Sequence, residues 1–136
     1  MSEHYINRRR IVFGDCDPGG IVYTPRVSHF VVEAGLAFLG ARLGRPAERY
    51  LFELGIGPPA RSLNIDFLAP MTWDDELDIR VTVKEIRTHA FTLAMEACVG
   101  DTNTFNAELV MVCVAMDTFK TTSIPAELRR VLVADG

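Results

Sequence analysis

The stretch Phe13-Gly14-Asp15-Cys16-Asp17-Pro18-Gly19-Gly20-Ile21-Val22-Tyr23-Thr24-Pro25 decides how this chain is read. Its aspartate Asp17 stands before Pro-Gly-Gly, where this residue commonly forms a turn and bonds its own backbone. Thr24 and Pro25 then announce a helix, as N-cap and first helical residue. The order therefore predicts a tight glycine-rich turn that delivers a carboxylate just ahead of a helix start. Unpaired backbone N–H groups at that start form a patch of partial positive charge. A carboxylate facing such a patch across a cleft suits acyl transfer. One group attacks or activates water, and the other holds the developing oxyanion.

Beyond the turn, Val27, Phe30, Val31, Ala34, Phe38 and Leu39 recur at helical spacing over residues 25–43, and Gly44 stands where a C-cap belongs. This helix is apolar over much of its circumference, so it is expected to be buried rather than to lie on a surface. A shorter helix is expected over 46–54, with Pro46 at its start and Gly55 just past its end. Before the turn, residues 5–13 read as a first strand, apolar at Tyr5 and Ile11-Val12-Phe13 with arginines between.

From residue 60 the period changes. Residues 60–69 form a strand that ends at Pro70. Leu77, Ile79, Val81 and Val83 alternate with Asp78, Arg80, Thr82 and Lys84, the pattern of a half-buried strand. Phe91, Leu93, Met95, Ala97 and Val99 repeat it after a turn near Thr88-His89. Residues 109–116 are apolar without alternation, as for a central strand covered on both faces. Pro125 and the run 127–132 indicate a short terminal helix. One long apolar helix and one antiparallel sheet bury each other's apolar surfaces, so the expected class is α+β.

The chain has 136 residues, read as one domain over 1–136, enough to bury roughly two-thirds of its unfolded surface. A net charge of −4 argues against a nucleic-acid partner, which calls for a basic face. The three cysteines, Cys16, Cys98 and Cys113, cannot all pair within one chain and show no Cys-x-x-Cys spacing, which points to a reduced, cytoplasmic setting. The polar, arginine-bearing N-terminus reads as neither signal peptide nor anchor. No segment approaches the ~18 apolar residues of a membrane span, so no membrane partner is expected.

Other chemistries are weighed against the same residues. Asp15-x-Asp17 followed by glycine echoes a calcium loop, but counting from Asp15 the twelfth position is Arg26, not the required glutamate. His4, His29 and His89 are scattered, so no metal is expected. Cys16 with His29 invites a Cys–His hydrolase, yet a cysteine beside an apolar strand end is more often buried. Ser28 and His29 lack the Gly-x-Ser-x-Gly elbow of a serine hydrolase.

The turn resembles the signature of the hotdog-fold 4-hydroxybenzoyl-CoA thioesterase family, Asp-x-Asp-x-x-Gly-[Ile/Val]-Val-[Tyr/Trp], which leads into a long central helix. The resemblance implies an antiparallel sheet of about five strands wrapped around that helix. It implies an acyl-CoA thioesterase with Asp17 as nucleophile or general base. Asp15 is expected to cap or order the loop, and no metal or organic cofactor is expected, since hydrolysis asks for neither electrons nor a carbanion sink and coenzyme A belongs to the substrate. On this reading backbone N–H groups at Tyr23 and Thr24 hold the oxyanion. The helix face at Phe30 and Val31, with strand residues near Asn64, shapes the acyl pocket. Coenzyme A phosphates call for cationic contacts. The turn Lys84-Glu85-Ile86-Arg87-Thr88-His89 is the candidate, with Arg87 retained from the family's basic run and His89 following; Arg61 is a weaker one.

Two departures bear on the substrate. Thr24 stands where the hydroxybenzoyl enzymes carry a tyrosine. Val32 stands where they carry an aspartate associated with the ring hydroxyl. Valine cannot accept that hydrogen bond, and a buried unpaired hydroxyl costs on the order of 1–3 kcal/mol. Glu33 points about 100° further around the helix and is no substitute. An aryl group without a buried 4-hydroxyl is therefore expected. The rivals are an aliphatic short- or medium-chain acyl-CoA thioesterase and a non-catalytic acyl-CoA-binding protein. The family's way of covering a free sheet edge implies a homodimer or homotetramer with shared active sites.

Overall fold

The apolar spacing after Pro25 becomes α1, Thr24–Leu43, in the computed structural model. The structure describes residues 4–135; residues 1–3 and 136, part of the expected 1–136 domain and of the N-terminal reading, lie outside that span. The elements run β1 (Tyr5–Arg10), a 3-10 turn at Phe13–Asp15, α1, α2 (Ala47–Glu53), β2 (Ile56–Gly57) and β3 (Ala60–Phe67). Then follow β4 (Glu76–Ile86), β5 (Ala90–Val99), β6 (Thr102–Val112), β7 (Val114–Ala115) and α3 (Ala126–Asp135).

Helix α1 buries Val27, Phe30, Val31, Ala34, Gly35, Phe38 and Leu39, the stripe that apolar residues three and four apart produce. The opposite face, with Arg26, His29, Glu33 and Ala41, is exposed, so burial follows a stripe rather than the whole circumference. The helix begins at Thr24, one residue before the expected start. Tyr23 is the N-cap, held extended at φ −65° and ψ 123°, because its N–H is bonded back to the Asp15 carbonyl.

Five strands pair antiparallel in the order β1-β4-β5-β6-β3. Leu77, Ile79 and Val81 of β4 turn inward while Arg80 stays in solvent, as alternation requires. The helix crosses this inner face at Gly35, where a Cβ would lie 3.2 Å from Leu109 and 3.3 Å from Leu93. A side chain there would need these leucines to give by a few tenths of an ångström. The core joins α1 to Phe91, Leu93, Phe105 and Leu109, with Leu128 and Leu132 of α3 closing one end.

Residues 109–116 do not form one central strand. Leu109, Met111 and Cys113 are buried while Val110, Val112 and Val114 are half-buried, and the segment divides between β6 and β7, which pairs with β2. Strand β5 holds the middle of the sheet. The first strand also ends early, at Arg10: Ile11 is buried, whereas Val12 and Phe13 enter the 3-10 turn and are exposed. Strand β3 is an edge, exposed at every position but Ile65. Among the described residues no single helix is long and apolar enough to cross a membrane.

Candidate active site

Residues 16–22 form a hairpin closed by a bridge between Cys16 and Val22. At its tip the Gly20 N–H donates to the Asp17 carbonyl at 2.9 Å, and the Asp17 N–H donates to the Ile21 carbonyl at 2.9 Å. Gly20 lies at φ 89°, a conformation that a side chain would strain. The half-buried Asp17 accepts the Gly19 N–H on Oδ1 at 2.8 Å, and Oδ2 has no hydrogen-bond partner among the described residues. The bond to its own turn and an available carboxylate oxygen therefore coexist.

Both flanks of the hairpin are tied down. On one side the Val22 N–H donates to the Met71 carbonyl at 2.8 Å, and Thr72 Oγ1 donates to the Gly20 carbonyl at 2.7 Å. On the other stands Asp15, 3% exposed, whose carboxylate accepts from the Val12 N–H at 3.0 Å and from Arg26 Nε at 2.9 Å. Arg9 Nη2 lies 3.6 Å away. The expectation that Asp15 orders the loop matches this geometry.

Tyr23 and Thr24 were expected to donate together to an oxyanion. The Tyr23 N–H is already committed to the Asp15 carbonyl at 2.9 Å, so the structure removes it from that role. The Thr24 N–H, first in the helix, has no partner among the described residues. A cavity of about 300 Å³ opens beside it, lined by Ile21, Val22, Thr24, Val27 and the segment Phe67-Leu68-Ala69-Pro70-Met71.

That lining corrects the expected acyl pocket. Phe30 and Val31 have no exposed surface at all and belong to the core, Phe30 lying under the Arg9 guanidinium at 4.0 Å. Besides Thr24, the residue of α1 that lines the cavity is Val27, one turn nearer the N-terminus than Phe30 and Val31. Val32 is half-buried, and Asn64 is exposed midway along β3, opposite Glu108 of β6. The 67–71 wall escaped sequence reading because this irregular segment has neither period nor motif.

Arg87 and His89 are both exposed and follow β4, whereas the Asp17 hairpin is fastened just before it. Eleven residues of strand separate the two ends, roughly 35 Å at ~3.3 Å per residue. One chain therefore does not bring them together. Arg87 Nε donates to Glu85 at 2.7 Å, which holds its guanidinium above the ordinary value. Beside it a second cavity of about 270 Å³ gathers Arg61, Ser62, Lys84 and Glu108. Lys84 pairs with Glu108, while Arg61 has no ion-pair partner among the described residues.

Cys16 and His29 line one cavity of about 390 Å³ with Asp15, Tyr23 and Arg26, but no hydrogen bond joins the two among the described residues. Cys16 Sγ points to the Val12 carbonyl at 3.9 Å, and exposed His29 pairs with Glu33 at 3.3 Å. Among the described residues no three His, Cys, Asp or Glu side chains are grouped to hold a metal ion.

A family model described as the Thioesterase-like superfamily matches residues 11–132. The 4-hydroxybenzoyl-CoA thioesterase of Pseudomonas sp. (strain CBS-3) is 36% identical over 93 residues, 67% of this chain. The match spans 65% of that relative, just under two thirds of its length. Acyl-CoA thioesterase YbgC of Haemophilus influenzae is 24% identical over 120 residues, 88% of each chain. A solved gentisyl-coenzyme A thioesterase superposes with a TM-score of 0.84 at 26% identity, covering 94% of this chain and 99% of that one. The antiparallel sheet about one long helix is the hotdog fold of these neighbours.

Proposed function

The chain belongs to the Thioesterase-like superfamily, and on that footing we propose that it hydrolyses an acyl-CoA to the free acid and coenzyme A. One observation carries the reading. The hairpin that bears the free Oδ2 of Asp17 also lines, through Ile21 and Val22, an apolar cavity that Thr24, whose N–H is unpaired, lines as well. Asp17 attacks the thioester carbonyl, expelling the thiolate and leaving a mixed anhydride for water to open, or it draws a proton from the attacking water. In either route the Thr24 N–H, at the positive end of α1, stabilises the oxyanion. Neither route calls for a metal or organic cofactor, since hydrolysis asks for neither electrons nor a carbanion sink.

An aromatic acyl group without a 4-hydroxyl is the proposed substrate. Relatives named for hydroxybenzoyl-CoA and gentisyl-CoA support an aryl group, and Val32 speaks against a buried hydroxyl. The proposal includes a homodimer or homotetramer, supported by the open edge of β3 with Leu63 and Phe67 exposed along it and Leu68 exposed just beyond its end. Antiparallel pairing of two such edges about Asn64 would carry the Arg61 end of one chain toward the Phe67 end of the other. The cations around Arg61 and Arg87 would then meet coenzyme A phosphates beside the partner's cavity. A cytoplasmic setting is supported by the three free cysteines.

The test is free-thiol release from a panel of aryl- and alkyl-CoA thioesters. We expect turnover that Asp17→Asn lowers by at least about 10²-fold while coenzyme A binding survives. Faster turnover across the aliphatic chains would favour the aliphatic rival. No release from any thioester would leave the non-catalytic binder.

A further inference from the structure

We propose that Asp15 is the positioning residue that holds Asp17 and the Thr24 N–H in fixed relation. The inference rests on the thioesterase reading and names how that site is kept in register. Asp15 is the one charged side chain in the buried set among the described residues. A buried carboxylate is costly unless it is paired and hydrogen-bonded. Here it is both. Its two oxygens take the Val12 N–H, Arg26 Nε and the more distant Arg9. Its own carbonyl takes the Tyr23 N–H.

These partners lie on three separate pieces of chain. Arg9 is the last residue but one of β1, Val12 precedes the 3-10 turn, and Arg26 sits in the first turn of α1. Asp17 is two residues beyond Asp15 on one arm of the hairpin, and Thr24 follows the other arm. The carboxylate ties the base of the first arm to the helix that begins at the second. Arg9 extends the tie by bonding Glu33 at 2.6 Å, further along the same helix. Reacting groups displaced by about 1 Å can lose about 10²-fold in rate, so a clamp at this point acts on turnover. Asp15 itself is buried, which separates its role from that of the half-exposed Asp17.

The test compares Asp15→Asn, Arg26→Ala, Arg26→Lys and the double variant Asp15→Asn/Arg26→Ala. In thiol release Asp15→Asn and Arg26→Ala should each lose about tenfold in kcat with KM held within about threefold, the pattern of an interaction needed in the transition state. The double variant should be no worse than the poorer single one, as for two residues acting through one contact. Arg26→Lys should recover part of the loss. Amide hydrogen exchange supplies an arm independent of substrate. The Tyr23 amide should exchange faster in Asp15→Asn and Arg26→Ala, while Leu93 in the central strand keeps its protection. Because Arg26 is partly exposed, its variants give the answer even where Asp15→Asn fails to fold. If the native protein releases no thiol, the thioesterase reading has failed and exchange at Tyr23 alone decides the clamp. Unchanged kcat in an active enzyme, additive losses, or Tyr23 protection that stays put or falls only together with Leu93 would overturn it.

Discussion

The Tyr23 N–H donates to the Asp15 carbonyl over 2.9 Å, which makes Thr24 the first residue of α1 whose N–H is left without a partner. One hydrogen bond thereby selects between two neighbouring donors that the sequence presents as equals. It also fixes where the helix starts, because Tyr23 must stay extended to make it.

Thr24→Pro should remove the oxyanion donor without disturbing the helix. Proline is tolerated at a helix start, and Tyr23 already has the extended backbone that a residue before proline prefers. Turnover should fall about 10²–10³-fold, the usual loss for one oxyanion donor. Thr24→Ala keeps the N–H and should lose far less. Equal kcat in the two variants would return the role to some other group.

Val32 should steer substrate choice. It does not line the cavity of one chain, so its effect rests on its place in the helix. If that position meets the ring, benzoyl-CoA should exceed 4-hydroxybenzoyl-CoA in kcat/KM, because valine offers a hydroxyl no acceptor. Val32→Asp should narrow or invert the ratio. A native preference for the hydroxylated substrate contradicts the assignment.

Charges on the open edge of β3 should block pairing between copies. Leu63→Lys/Phe67→Lys places two lysines on exposed apolar positions of that strand, a device by which natural edges resist association. Light scattering should then report a shift toward the monomer, and thiol release should fall with it. A fully active monomeric native protein would rule out a shared site.

Stability should decline in alkali through Cys113. Burial pushes this thiol from its ordinary value of 9.0 up to about 11. A raised folded value contributes stability that is fully present below the unfolded value and lost as pH rises through the folded one. Thermal midpoints should therefore fall between pH 9 and 11, and Cys113→Val should fall less steeply. In the native state half-buried Cys16 should react with a thiol reagent well before Cys113 does. Identical pH profiles for the two proteins would refute the account.

Local pattern carried most of the architecture. The stripe Val27, Phe30, Val31, Ala34, Phe38 and Leu39 is written at helical spacing and is buried in that form. Leu77, Ile79 and Val81 alternate with polar neighbours and face the core. The turn at Asp17 follows from proline and two glycines. Each feature depends on residues a few positions apart, so the sequence by itself determined them. Residues 102–108, the first part of β6, were missed because their moderate alternation becomes clear only against β5.

Long-range pairing decided the rest. Whether Phe30 meets substrate or core depends on how closely α1 approaches the sheet at Gly35, a distance set by Leu93 and Leu109 some sixty and more residues on. The cavity wall at 67–71 exists because Met71 and Thr72 are hydrogen-bonded to the hairpin at Val22 and Gly20. Arg87 stands far from Asp17 because β4 runs its full length between them. A periodic pattern states which face of an element is apolar, but not which distant group takes a given N–H. That choice belongs to the packed chain, where each donor must find its acceptor or be left, like Thr24, to the substrate.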